Sequence, residues 1–369
     1  MRRAALGGML GGAILCISII ASGQSPCDFE PPASTISMAD LSFSYRHFDD
    51  GRTAGIETSG GWLAGRLERL HDSPDFGYTT WASTQIELSN WLATSWLTSG
   101  SISYRYYFAD DLPLFAYAGV RVDAATFFVQ PGCEIRSGIG IGRFRDVTPL
   151  AKADRIIAHL LRSGLLPRPF TRHDSMRIAE QIAREDSYGS FEEYVASVAE
   201  LVGQLAVSTL NSSAVLAIRE ELGNDTYERY CGAILQVGVG YELVDPYRGA
   251  EDVLYVLSGD VGRALSPDSQ LRCRLSWSGV SDDVLGEGTS ALELTYDAHP
   301  QDARAVRAGC RIQQVASGQS ESVTSQRATV EYSLGIGRAD LVLALAMTHE
   351  SGTPKWSTDL SISCAIELL

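Results

Sequence analysis

GCEIRSGIGIGRFRDVTPLAKADRII, residues 132–157, decides the fold, because the hydrophobic period changes inside it. Up to Phe144 the apolar residues alternate: Ile135, Ile139 and Ile141 oppose Glu134, Arg136, Gly138 and Gly140, the period of a strand. From Thr148 they recur at three and four, the period of a helix. Working outward, residues 34–145 read as six strands, and the chain from about residue 230 to its end reads as about eight more. Roughly 80 helical residues lie between them. The expected fold is mainly β, an antiparallel barrel of about 14 strands (about 12–16) with an all-α insert between strands 6 and 7.

The flanking strands carry the same alternation. Leu41, Phe43 and Tyr45 oppose Ser42, Ser44 and Arg46, and Ile102, Tyr104, Tyr106 and Phe108 oppose Ser101, Ser103 and Arg105. After the insert, Leu235, Val237, Val239 and Tyr241 oppose Gln236, Gly238, Gly240 and Glu242. Turn-forming clusters separate the strands, among them HDSPD at 71–75, Pro131-Gly132, Ser258-Gly259-Asp260 and AHPQ at 298–301. Within the insert, Thr148 reads as an N-cap with Pro149 at the first helical position. Helical stripes follow over 150–161, 175–185, 191–210 and 214–222.

Composition excludes several classes. The chain is 45% hydrophobic and carries a net charge of −15, which argues against a general nucleic-acid-binding face. Arg2 and Arg3, the apolar run 4–20 and Ala21-Ser22-Gly23 read as a secretory signal over residues 1–23. Removing it leaves 28 basic against 45 acidic side chains, a balance of −17. Residues 24–33 are a polar, proline-containing linker, and the expected units are 34–145, the insert 146–228 and 229–369. No later run reaches 18 apolar residues, so any later membrane crossing uses strands.

Little in the sequence points to reaction chemistry. Six cysteines follow the signal, an even number that leaves disulfide pairing open in an exported chain. Cys273, Cys310 and Cys364 keep phase with apolar neighbours and read as small strand residues. No Cys/His spacing suits a metal, and GIGIG lies in a strand rather than opening a helix, so no metal and no cofactor is assigned. His71-Asp72-Ser73 falls in a turn, and His173-Asp174-Ser175 falls at a helix start where Asp and Ser are caps. Adjacent letters do not make a triad, which forms in space, so no catalytic residue is assigned.

Two features separate a membrane barrel from a soluble sheet. The strands with their turns average roughly 18–19 residues, whereas soluble strands are typically about 5–6. The face opposite the apolar one is also charged, as a watery lumen would be. Its candidate lumen residues are Arg105, Arg121, Asp123, Glu134, Arg136, Arg272, Arg274, Glu293 and Glu331. Aromatics such as Trp62, Tyr78, Trp96 and Tyr296 fall near strand ends, as an interfacial girdle would.

On these features the chain resembles the outer-membrane β-barrel proteins of diderm bacteria over 34–145 and 230–369. The resemblance is architectural. Leu360, Ile362, Cys364, Ile366 and Leu368 supply the alternating last strand, but the chain ends in Leu368-Leu369 where that class commonly ends in an aromatic. It implies outer-membrane lipid and small polar solutes as partners, and a structural or solute-passage role without enzymatic activity. The alternative is a secreted or periplasmic soluble β-protein whose insert binds a partner. Gly138, Gly140, Gly142, Gly238 and Gly240 bracket the insert on the inward phase, a surface where its helices could dock. The same glycines also suit a wall that curves.

Overall fold

The computed structural model describes residues 26–366, apart from 32, 50–56, 109–112, 167, 208–209, 225–227, 250, 284–286, 302–303, 317–321 and 337–338. The expected signal segment lies outside the described residues. Six strands precede the insert: β1 Ser34–Asp49, β2 Glu57–Asp72, β3 Phe76–Ser89, β4 Leu92–Tyr107, β5 Leu114–Ala125 and β6 Gly132–Asp146. Eight follow: β7 Tyr230–Val244, β8 Val253–Ser266, β9 Ser269–Val280, β10 Gly288–Gln301, β11 Arg304–Ala316, β12 Val323–Ile336, β13 Ala339–Glu350 and β14 Ser357–Ile366. They form one antiparallel sheet in sequence order, with β6 pairing β7 across the insert. This is the strand count and insert position expected from the periodicity. Among the described residues no register joins β14 to β1.

The two sheet faces are inverted relative to a soluble sheet. Leu41, Ile139 and Ile362 face outward at 79%, 62% and 71% exposure, and Leu67, Tyr104, Val237 and Leu343 are likewise exposed. Arg105 and Arg272, on the opposite phase, are only 4% and 9% exposed. The inner face closes across the sheet: Glu68 of β2 reaches Arg272 of β9, with six strands between them in sheet order.

Two expected turns are strand. Ser258-Gly259-Asp260 lies within β8 and the AHPQ stretch within β10. In both places the ladder to the neighbouring strand runs through the turn-prone residues. Asp260 pairs with Arg274 in register, and Gln301 pairs with Arg304 after a register shift. Local turn propensity gives way to cross-strand pairing.

The insert comprises α1 Thr148–Arg162, α2 Arg172–Ile182, α3 Phe191–Ala206 and α4 Ser212–Leu222. Its own core includes Leu150, Ile156 and Leu160 of α1, Ile178 of α2, Val198 and Val202 of α3, and Ile218 and Leu222 of α4. Thr148 is not the N-cap. That position is Val147, which makes no side-chain cap, and the Asp146 carboxylate accepts from the Thr148 N–H at 2.8 Å. The Thr148 hydroxyl is engaged elsewhere: it accepts from the Arg229 N–H at 2.8 Å and ties the two ends of the insert together. At α2, Thr171 caps, and Asp174 completes a capping box. The HDS letters at 173–175 therefore begin a helix, as expected.

The insert joins the sheet at the end where even-numbered strands finish. Phe29, Cys231 and Ala264 join its core, and Arg155 of α1 approaches Asp268 of the β8–β9 turn at 3.8 Å. A Cys27–Cys231 disulfide fastens the linker to the start of β7 at this same end. Among the described residues Cys133, Cys273 and Cys310 form no disulfide.

The helices do not occupy the glycine surface. Phe115 and Tyr117, inward-facing on β5, pair in register with Gly140 and Gly138. A Cβ on Gly140 would lie 2.4 Å from the Phe115 ring, and one on Gly238 would lie 2.4 Å from the Tyr117 hydroxyl. A Cβ on Gly240 would meet the Glu134 carboxylate instead. Gly142 is required for a second reason, a φ of +111° with no room for a side chain against Ala233. Sheet atoms are thus the nearest neighbours of Gly138, Gly140, Gly142, Gly238 and Gly240, the glycines expected to seat the insert. The close approach that a bare strand surface permits is made by rings and backbone of the sheet itself.

Candidate functional site in the charged interior

The interior has a filled part and an open part. The filled part lies toward the insert, where Ile36, Leu70, Tyr107, Phe115, Tyr117, Phe144, Tyr230 and Ile234 form one buried cluster. These residues come from β1, β2 and β4–β7, whose inner faces meet. The Phe144 N–H donates to Asp72 at 3.2 Å and the Asp146 N–H to Ser34 at 2.8 Å, linking β6 to the ends of β2 and β1. Asp72 also accepts from the Tyr107 hydroxyl at 2.6 Å and lies 3.7 Å from Arg105. A carboxylate in this cluster is tolerated because a cation and two donors surround it.

The open part is a cavity of about 620 Å³ between β1–β2 and β9–β12. Seven arginines line it (66, 229, 272, 274, 307, 311 and 327), against the carboxylates of Glu68, Glu228, Glu293 and Asp297. Along it runs a five-residue charge network. Glu68 accepts from Arg272 at 2.9 Å, from Arg274 at 2.6 Å and from Arg66 of its own strand at 3.2 Å. Asp260 accepts from Arg272 Nε at 3.0 Å and from Arg274 Nε at 3.2 Å. Two carboxylates thus meet three guanidiniums, and those of Arg272 and Arg274 are each held by multidentate hydrogen bonds.

Toward the insert, Arg229 ends the cavity. It contacts Asp297 at 3.3 Å and donates to the Pro267 carbonyl at 3.2 Å. Burial pushes the Arg229 guanidinium below its ordinary value, and Asp297 counteracts it. Asp297 also meets His299 at 3.0 Å and Arg307 at 3.9 Å.

The nine predicted lumen residues divide among these regions. Arg105 is in the filled part. Arg272, Arg274 and Glu293 line the cavity. Arg121 pairs with Asp123 at 2.7 Å and Arg136 with Glu134 at 2.6 Å, two same-strand pairs on adjacent β5 and β6. Glu331 is the register partner of Arg307. Asp260, Arg229, Asp297, Arg307, Arg311 and Arg327 were not among those nine. Asp260 was hidden by its turn-like neighbours. The others had a readable signal: Arg307 and Arg311 are four apart in β11, an even spacing that puts them on one face.

Among the described residues no group of three or more His, Cys, Asp or Glu could hold a metal ion. The arrangement can screen, attract or retain a small charged solute.

No known protein family matches the sequence, and no curated protein matches it. Solved structures similar to this chain include a BenF-like porin from Pseudomonas fluorescens Pf-5, at 7% identity over 90% of this chain and 98% of that chain, TM-score 0.34. Others are the CymD monoaromatic hydrocarbon channel, at 12% identity over 91% and 87%, TM-score 0.30, and OccK11 (OpdR) of Pseudomonas aeruginosa, at 8% identity over 90% and 93%, TM-score 0.30.

Proposed function

We propose that this chain is an outer-membrane β-barrel that passes small polar solutes through a charged lumen, with its helical insert at the periplasmic mouth. The observation that carries the reading is the inversion of the two faces. Large apolar side chains stand exposed on the outside of consecutive strands while arginines and carboxylates are turned inward. In water such a surface would drive aggregation, whereas in a bilayer it is the favourable arrangement. Strands of 10–16 residues are long enough to cross a hydrocarbon core when tilted. The insert's position follows from parity: with the amino terminus in the periplasm, an even-numbered strand ends there.

The test is gel mobility of the detergent-folded chain with and without boiling, followed by conductance in planar bilayers. A heat-shifted band and discrete conductance steps support the reading. A second reading, a soluble β-protein whose insert binds a partner, draws on the β1 and β14 edges, which do not pair with each other among the described residues. A protein that stays monodisperse without detergent and shows no heat shift establishes that reading instead.

A further inference from the structure

We infer that the β9–β12 wall of the cavity is a binding site for a small multivalent oxyanion, a solute carrying several carboxylate or phosphate groups. This deepens the solute-passage reading, on which it rests for how the solute enters.

One inward-facing row crosses the sheet from β8 to β12: Asp260 pairs with Arg274, Arg274 with Glu293, Glu293 with Arg311, and Arg311 with Arg327. The signs alternate over the first four positions, as a self-neutralising wall would. At the fifth the alternation fails, and two guanidiniums stand directly opposite each other. Like charges in directly opposed positions destabilise a sheet.

The Arg311 and Arg327 side chains are both exposed to the water of the cavity, and no protein carboxylate among the described residues pairs with either. Arg274 is already committed to Glu68 and Asp260. Arg311 donates to the neutral Gln313 at 3.2 Å. Among the described residues neither Arg311 nor Arg327 has a carboxylate within ion-pair distance. Glu293 is thus the one acid adjoining the pair in its row. The cavity as a whole holds three more arginines than carboxylates, in a chain whose net charge is −15. Composition therefore does not account for this excess.

A local conflict that the rest of the fold does not relieve marks a functional site. The missing partner is an anion. Guanidinium forks suit the planar or tetrahedral oxygens of carboxylate and phosphate. A volume of about 620 Å³ is the size of a small-molecule site. Rings of arginine are also the usual means by which a pore favours anions.

The test uses isothermal titration calorimetry on the full detergent-folded chain, with citrate and inorganic phosphate as probes and glucose as the neutral control. Saturable binding of either anion, without glucose binding, is expected. In R311Q/R327Q, binding should weaken by roughly tenfold or more. In E293Q it should tighten, because the competing carboxylate is gone. Heat-modified gel mobility verifies that both variants fold. Absence of saturable heat with both anions overturns the inference, as does unchanged affinity in the folded double variant. Conductance is read separately. A conducting chain that binds neither anion refutes this site and leaves the pore reading intact. A non-conducting chain that binds citrate through Arg311 and Arg327 refutes the pore reading and leaves the site.

Discussion

Replacing Glu68 with glutamine tests what holds the inner faces together. Glu68 belongs to β2, whereas its partners Arg272 and Arg274 belong to β9. In the wild type two carboxylates face three guanidiniums, those of Arg272, Arg274 and the more exposed Arg66. In E68Q the Asp260 carboxylate remains alone with Arg272 and Arg274, adding one uncompensated positive charge in a site where Arg272 is 9% exposed. Four donor contacts to Glu68 are lost or weakened, the three from β9 each charge-assisted and worth about 1.5–3 kcal/mol. Their simple sum overstates the effect, because Asp260 retains its own contacts and water can enter the cavity. Breaking a buried pair by removing one partner typically costs about 3–5 kcal/mol, and the lower end is expected here. Urea unfolding of the chain in detergent micelles, followed by tryptophan fluorescence, reads the change as a lower midpoint at unchanged slope. E293Q is the comparison. It removes a cavity carboxylate that makes no contact between distant strands, and it should shift the midpoint by less than about 1 kcal/mol. If E68Q and E293Q unfold at the same midpoint, the charge network does not hold β2 against β9.

Four further outcomes are expected. C27S should abolish the faster migration on non-reducing gels and destabilise the chain: the bridge spans 204 residues, for which loop entropy gives about 5 kcal/mol as an upper figure. F115A should cost about 3–5 kcal/mol, since its fully buried ring fills the space over Gly140 and packs against Tyr107. T171A should cost about 1 kcal/mol in helix stability, seen as a loss of helical circular dichroism at a lower temperature. The T171A cost should also depend on pH. The Thr171 backbone N–H and hydroxyl hold the Asp174 carboxyl below its ordinary 3.8, so that stabilisation is present above about pH 4 and lost as pH falls through the depressed value. Asp154 works in the opposite sense, because burial raises its carboxyl despite Ser175 and Arg172, so its contribution is lost as pH rises. A T171A penalty that is identical at neutral and strongly acidic pH refutes the capping account.

Periodicity made the fold legible. Alternation at Ile102, Tyr104 and Tyr106 reports a strand with unlike faces, and the change of period after Phe144 reports the insert, because both depend on residues a few positions apart. The charged face was legible for the same reason: Arg272 and Arg274 share a side of any strand that contains them. Local signals misled where distant pairing outweighed them. Ser258-Gly259-Asp260 looks like a turn and is strand, because Arg272 and Arg274 of β9 bind Asp260 there. Thr148 looks like a cap, but its hydroxyl bonds Arg229, 81 residues away. The sequence puts the glycines on one phase of β6 and β7, but what lies over them is not a local property. It is Phe115 and Tyr117 on a neighbouring strand, and the register that sets those rings over Gly140 and Gly138 is a property of the assembled sheet.

The sequence by itself determined which residues form strands and helices, which share a face, and that one face is charged. Tertiary structure alone decided which charges meet. Glu68 and Arg272 are 204 residues apart, and only the curvature of the whole sheet brings them within 2.9 Å. The opposition of Arg311 and Arg327 likewise exists only in the register of β11 against β12. Side-chain direction is a local consequence of backbone period, whereas partnership is set by register and closure, which every strand between the partners helps to fix.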